Sequence, residues 1–233
     1  MHFHLPKPLH GWRAFVGEVG IIVLGVLIAL GAEQLVESLH WRREVATERA
    51  SLMQEADDSF GTVAARAAQQ PCVDKRLGEI LTVLERHHRG EPLGIIGKVG
   101  APLHETATRG TWQIALSGQA LSHMSNKEKL QFSDIFVGFD RWDAAAKLES
   151  DAWLRLAPLN HADLLSEEDW SGIRSAYADA VAINSVAGPA ASFMLKKAKD
   201  QGFAHFSGTP IAAFSKISEQ ICQPFLATSG GKG

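Results

Sequence analysis

Histidines are the residues of this chain whose type and spacing come closest to metal chemistry. His2, His4 and His10 could bind a transition metal near the amino terminus, and His87 stands beside His88. Adjacent side chains on a helix point about 100° apart, so His87 and His88 make a poor chelate. Solvated histidines explain the pattern better, and we predict no metal site and no cofactor.

Common catalytic motifs are absent from the sequence. It contains no HExxH, CxxC, GxSxG or GxGxxG pattern. The stretch GIIGKVG, residues 94–100, holds a Gly-Lys pair, but a P-loop needs Ser or Thr after the lysine, and here Val99 follows Lys98. We therefore predict that the protein is not an enzyme. An enzyme with an unrecognised site is the alternative.

The two cysteines, Cys72 and Cys222, stand near opposite ends of the part that follows the first apolar segment. In an oxidising compartment they could pair, so they form a candidate disulfide. Two separate buried thiols are the alternative.

Charge is nearly balanced, with 23 Lys and Arg against 26 Asp and Glu in 233 residues. Such a chain lacks the basic surface that neutralises phosphates, so we predict no nucleic-acid partner. Its length leaves room for a membrane segment and one domain of ordinary size.

The interpretation of the whole chain depends on an apolar segment near the amino terminus. Residues 19–32 carry no charged or polar side chain, although a span is obvious only at about 18 apolar residues. Trp12 and Trp41 flank the segment and would lie about 43 Å apart on a continuous helix. That distance matches a bilayer with its headgroups, where tryptophan concentrates. We predict a transmembrane helix over residues 12–34.

Five side chains flanking the segment are suited to the two membrane interfaces as anchors: Trp12, Arg13, Trp41, Arg42 and Arg43. A cleaved secretory signal ending near Ala29-Leu30-Gly31 is one alternative, and the core helix of a soluble protein is another.

One face of the predicted span combines a carboxyl group with small residues. Glu18, Gly25, Ala29 and Ala32 fall within about 60° of one another on a helix. Small residues let a second helix approach closely, and a carboxyl at this depth is best placed against protein. The pattern predicts a packing face for a membrane protein partner or a second copy. A glutamate that reaches the interface on its own is the alternative.

The remaining sequence indicates an all-α fold, because helix-forming residues dominate and β-branched runs are few. We predict a helical stalk over residues 35–70, a bundle of four to six helices over residues 71–226 and a disordered tail over residues 227–233. Pro71 should end the stalk, and Gly90 should end the second helix.

Further helix boundaries follow from capping and turn residues. We predict a loop over residues 90–110 and a helix over residues 111–124. A capping box of Ser125 with Glu128 should begin a helix that ends at Leu156, and Ser166 with Asp169 should begin the next, with a kink or break at Gly188-Pro189 before it continues to Gly202. A last helix should run from Thr209-Pro210 to Gln223.

The chain resembles a family of bacterial single-span membrane proteins. The resemblance lies in Trp12 to Phe15, the GVLIAL stretch from Gly25 to Leu30, Thr111, and Ser117-Gly118. It implies an all-helical protein with a membrane anchor, and it brings no catalytic residues.

Topology is weakly marked by charge, because Lys7 and Arg13 precede the span and Arg42 and Arg43 follow it. The candidate disulfide favours an oxidising compartment for the domain. We predict a single-pass protein of the bacterial inner membrane, with residues 1–11 cytoplasmic and the soluble domain periplasmic.

These features favour a non-enzymatic accessory or scaffolding subunit that binds other membrane proteins. Its partners would be the lipid bilayer and a membrane protein or a second copy of the chain. A sensor or ligand-binding domain is the alternative, and a pocket lined by Trp112, Trp142, Trp153 or Trp170 would favour it.

Overall fold

Six α-helices and one 3-10 helix build the protein in a computed structural model, which describes residues 11–103, 105–203 and 219–227. The helices are α1 (Gly11–Ala68), α2 (Gln70–Arg89), α3 (Gly110–Ser117), α4 (Ala120–His123), α5 (Asn126–Leu156), the 3-10 helix (Ala157–Leu164) and α6 (Glu167–Asp200). Residues 219–222 form one further helical turn, and an isolated bridge joins Ile95 to Leu226. The all-α prediction is confirmed.

Helix α1 is continuous over 58 residues and has two different environments. Residues 11–13 and 15–40 are all exposed, whereas Val45, Leu52, Phe60 and Val63 are buried. The structure thus differs from the prediction of a stalk over residues 35–70 followed by a bundle that begins at residue 71. The second half of α1 is itself a bundle helix, because its apolar stripe packs against α3, α4, α5 and α6.

Helix α2 begins and ends as its sequence predicts. Pro71 occupies the first turn, where a missing backbone N–H costs nothing, and Gly90 ends the helix with a φ of 66°. The predicted helix over residues 111–124 is two helices in the structure. The chain is extended at Gly118, whose N–H still bonds to the carbonyls of Ile114 and Ala115, and α4 starts two residues later.

Capping boxes start α5 and α6, and both were predicted. The hydroxyls of Ser125 and Ser166 accept the backbone N–H of Glu128 and Asp169. Helix α6 continues through Gly188-Pro189 to Asp200, so the chain has no break there. Tertiary packing outweighs the local cost of proline, because α6 lies along α5 and also packs on α1 and α2.

Buried apolar residues form two clusters. The first lies between α1, α3, α5 and the end of α6, and it contains Phe60, Phe136 and Phe139. The second joins α2, the end of α5, the first half of α6 and residues 219–227, and it contains Trp153 and Phe225. Residues 1–10, the start of the predicted last helix at Thr209-Pro210, and residues 228–233 of the predicted tail lie outside the described residues.

Candidate functional site

Residues 11–40 of α1, called the free segment below, have exposed side chains wherever side chains are described, at residues 11–13 and 15–40. Large apolar side chains point outward all around this segment, including Ile21 at 75% and Ile28 at 63% exposure. Two described helices, α1 and α6, are long and apolar enough to cross a membrane. Helix α6 contributes Trp170, Ile173 and six small residues to the bundle core, whereas the apolar stretch of α1 contributes none.

The predicted packing face lies on this free segment. Glu18, Gly25, Ala29 and Ala32 are all exposed, and a Cβ atom added to Gly25 would meet no atom within 4 Å. Glu18 has no hydrogen bond or ion pair with any described residue. The face is therefore open to a second helix, and the structure supplies no partner for its carboxyl group from the described part of the chain.

The predicted interface anchors occupy the two ends of the free segment. Trp12 and Arg13 are exposed at its start, and Arg42 and Arg43 are exposed just past its end. Trp41 is partly covered, because its ring stacks on His123 of α4 with centroids 3.9 Å apart. Its indole N–H donates to Glu37 over 3.4 Å. His123, which was not singled out in the sequence, thus fixes the near end of the bundle to α1.

Cys72 and Cys222 form a disulfide in the structure. Their Cα atoms lie 4.8 Å apart although 150 residues separate them in the chain. The bond ties the turn at residues 219–222 to the start of α2. It therefore closes a loop that runs from the first turn of α2 through α6, whereas the bundle half of α1 lies outside the loop.

Arg76, one helical turn after Cys72, holds the same two parts of the chain together. Its guanidinium is fully buried and donates to five main-chain carbonyls, those of Lys98, Val99, Gln220, Ile221 and Gln223. The Arg76 group also contacts the ring of Phe225, with 5.0 Å to the ring centroid. Burial lowers the pKa of Arg76, and the Glu79 carboxylate 2.9 Å away opposes that shift. Nothing in the local sequence distinguishes this arginine from a solvated one.

A second buried arginine, Arg66, lies in a polar network between the two apolar clusters. It donates from Nε and Nη2 to the two oxygens of Glu149, at 3.0 and 2.6 Å, and both side chains are at most 1% exposed. Gln70 and Asn184 accept further bonds from Arg66. Gly188 lies against this network, since a Cβ atom there would come within 2.7 Å of Gln70 Oε1.

A largely apolar groove of about 320 Å³ runs between α5 and α6. Phe60, Ile135 and Trp142 are buried beneath it, and Phe193 stands beside it at 67% exposure. Small residues on the facing helices, Gly138, Ala145 and Ala190, leave the space open. Of the four tryptophans considered from the sequence, Trp142 lines this groove, Trp112 stacks on Phe136 at 5.0 Å, and Trp153 and Trp170 are core residues.

Histidine and carboxylate side chains do not converge on a metal-binding geometry in the described part of the chain, where groups of three or more such ligands are absent. His87 instead stacks on Trp170 with centroids 3.9 Å apart, and its Nε2 lies 3.4 Å from Glu167. His2, His4 and His10 lie outside the described residues.

Comparisons with models of protein families, with curated proteins and with solved structures find no match for this chain. Its resemblance to bacterial single-span proteins stays a prediction.

Proposed function

We propose that this chain is a non-enzymatic, single-span protein of the bacterial inner membrane that serves as an accessory or scaffolding subunit. The observation that carries the proposal is the free segment, whose residues 19–32 carry no charged or polar side chain and are covered by no other part of the described chain. Surface of this kind is stable only when lipid or another protein covers it. A span with Trp12 and Trp41 at the two interfaces satisfies that requirement.

The open face of the span supports a role in binding. In this arrangement Glu18 lies about 9 Å from Trp12 along the helix, near the edge of the hydrocarbon. A carboxyl at that depth is stabilised by a hydrogen-bond donor on a neighbouring helix, and the small residues on the same face allow that helix to approach. The partner is accordingly a membrane protein or a second copy of the chain.

The continuity of α1 supports a scaffolding role. One uninterrupted helix carries both the packing face and the buried stripe from Val45 to Val63. A partner bound at Glu18 therefore fixes the direction in which the bundle projects. The disulfide supports a periplasmic bundle, with residues 1–11 on the cytoplasmic side, because structural disulfides persist in oxidising compartments.

The test is affinity purification of the tagged full-length protein in mild detergent, with mass spectrometry of what accompanies it. We expect a stoichiometric partner that is lost in Glu18→Leu and in Gly25→Leu. Gly20→Leu is the matched control, because Gly20 is equally open but lies about 140° around the helix from Gly25. A wild-type protein that is monomeric and unaccompanied would overturn the proposal, as would equal loss of the partner in all three variants.

A ligand-binding domain is the second candidate function. The groove over Trp142 favours it, because it has the size and the apolar lining of small-molecule sites.

A further inference from the structure

We infer that the α5–α6 groove binds a single-chain amphiphile with an acidic headgroup, of the fatty-acid class. This inference rests on the second candidate function and names the ligand class for it. The span and its packing face are not involved.

The apolar lining of the groove is not explained by contact with the bilayer. Phe60, beneath the groove, lies 19 residues beyond Trp41 on α1, or about 28 Å along the helix. A membrane surface at Trp41 would not reach it. The exposed side chains of Phe193 and Val186 therefore face water unless a dissolved molecule covers them.

The shape of the groove fits one alkyl chain. Its lining residues extend from Asp134 to Ala145 on α5, a distance of about 16 Å along the helix axis. Divided by that length, the groove volume gives a mean cross-section of about 20 Å². An alkyl chain with van der Waals contacts at about 4 Å fills a cross-section of that order.

Charge on the lining residues favours an anion. Arg141 and Lys197 line the groove together with one carboxylate, Asp134, which pairs with Lys197. Arg141 is exposed and makes no ion pair or hydrogen bond with any described residue. A guanidinium free to donate binds a carboxylate through two parallel bonds.

One polar atom of the groove also lacks a hydrogen bond. Gln201 Oε1 is buried and receives no donor from the described residues. Buried polar groups are satisfied in nearly all native structures. This oxygen accepts, so water held in the groove accounts for it, whereas the carboxylate headgroup has no hydrogen to donate and binds at Arg141 instead.

The experiment is equilibrium dialysis of radiolabelled dodecanoate against the full-length protein in phosphatidylcholine nanodiscs, with empty nanodiscs as the blank. We expect one saturable site per chain above the blank. Ala190→Leu should weaken binding at least tenfold, because the added side chain fills a groove one chain wide. Ala182→Leu, which is exposed on the same helix outside the groove, should bind like the wild type.

The acidic headgroup is tested with a second pair of variants. Arg141→Gln should weaken dodecanoate binding roughly tenfold, and Lys147→Gln, exposed on the same helix outside the groove, should leave it unchanged. Dodecyltrimethylammonium should fail to displace dodecanoate from the wild type but should bind Arg141→Glu. Equal displacement by the cationic and anionic chains would overturn the ligand class.

Absence of saturable binding by the wild type would overturn the inference itself. Disulfide cross-linking of Phe193→Cys between two chains would then assign the groove to a contact between two copies. Circular dichroism checks that Ala190→Leu is folded. If that variant does not fold, dodecanoate binding by the Arg141 variants tests the inference instead. Glu18→Leu should bind dodecanoate normally, so failure of the span proposal and failure of this inference are distinguishable.

Discussion

At the scale of single residues, the bundle is unusual for its two buried arginines with different partners. Arg66 faces a carboxylate, Glu149, whereas Arg76 faces mostly main-chain carbonyls. A buried ion pair contributes little net stability over an apolar pair of the same volume, but removing one partner leaves an uncompensated charge. These residues therefore fix which segments meet rather than how tightly the core packs.

Replacing one member of the Arg66–Glu149 pair should be strongly destabilising. We expect Glu149→Leu to lower the free energy of unfolding by about 3 to 5 kcal/mol, because Arg66 would remain charged in a site from which water is excluded. Urea unfolding followed by circular dichroism measures the change. The double variant Arg66→Met with Glu149→Leu should recover most of the loss. If the double variant is no better than the single one, the cost comes from packing and the interpretation of the pair is wrong.

At the scale of elements, the starts of α5 and α6 depend on short local patterns. Ser125 and Glu128 satisfy each other's backbone N–H groups, and Arg49 of α1 lies 2.8 Å from Glu128. The hydrogen bond from Ser125 and, secondarily, the charge of Arg49 lower the pKa of Glu128. A carboxyl group with a lowered pKa stabilises the folded state only while it is ionised.

We expect Ser125→Ala to cost about 1 kcal/mol of stability at neutral pH. The cost should shrink under acidic conditions. The folded-state pKa of Glu128 lies below its unfolded value near 4.3, so its contribution is complete above that pH and is lost as the pH falls through the folded value. Thermal unfolding at pH 7 and pH 3 measures the difference. Ser185→Ala, an exposed change within α6, is the control and should show no such pH dependence.

Local patterns predicted these boundaries because capping, proline and glycine act within a few residues. The same patterns failed where distant residues decide. The stretch from residue 35 to 70 has a helical apolar period, which is the same for a stalk and for a bundle helix, and only the packing against α5 and α6 distinguishes them. The absence of a break at Pro189, where a kink or break was predicted, has the same cause, as does the burial of Arg66 and Arg76.

Some parts of the candidate site could be predicted from the sequence, and others could not. The long apolar helix and its face of small residues follow from residue type and helical spacing, and the two cysteines were a candidate disulfide. The groove does not, because Gly138 and Ala190 are ordinary small residues until α5 and α6 are placed side by side. Of the residues that line the groove, only Trp142 is among the four tryptophans considered from the sequence for a ligand pocket.

At the scale of the whole molecule, the carboxyl-terminal segment and the start of α2 form one unit. The disulfide, the carbonyl bonds of Arg76 and the bridge between Ile95 and Leu226 all hold residues 219–227 against α2 and the following loop. Residues 219–227 supply Ile221 and Phe225 to the second apolar cluster. Opening this unit would therefore expose core surface as well as free the chain end.

In the proposed topology, the disulfide links the stability of the bundle to the side of the membrane on which the bundle lies. In a periplasmic bundle both cysteines should resist a maleimide-polyethylene glycol reagent on a denaturing gel until a reductant is added, and two adducts should then appear. Reduction should lower the free energy of unfolding by about 5 kcal/mol, the chain-entropy value for a loop of this length.

Cys72→Ser is the control for that labelling experiment, because it should give one adduct with or without reductant. Two adducts on the unreduced wild-type protein, taken directly from bacterial membranes, would contradict the proposed topology and place the bundle in the reducing cytoplasm. Because the chain has two cysteines in all, the adduct count reports their pairing directly. The pairing in turn orients the span and decides which end of the packing face lies near the cytoplasm.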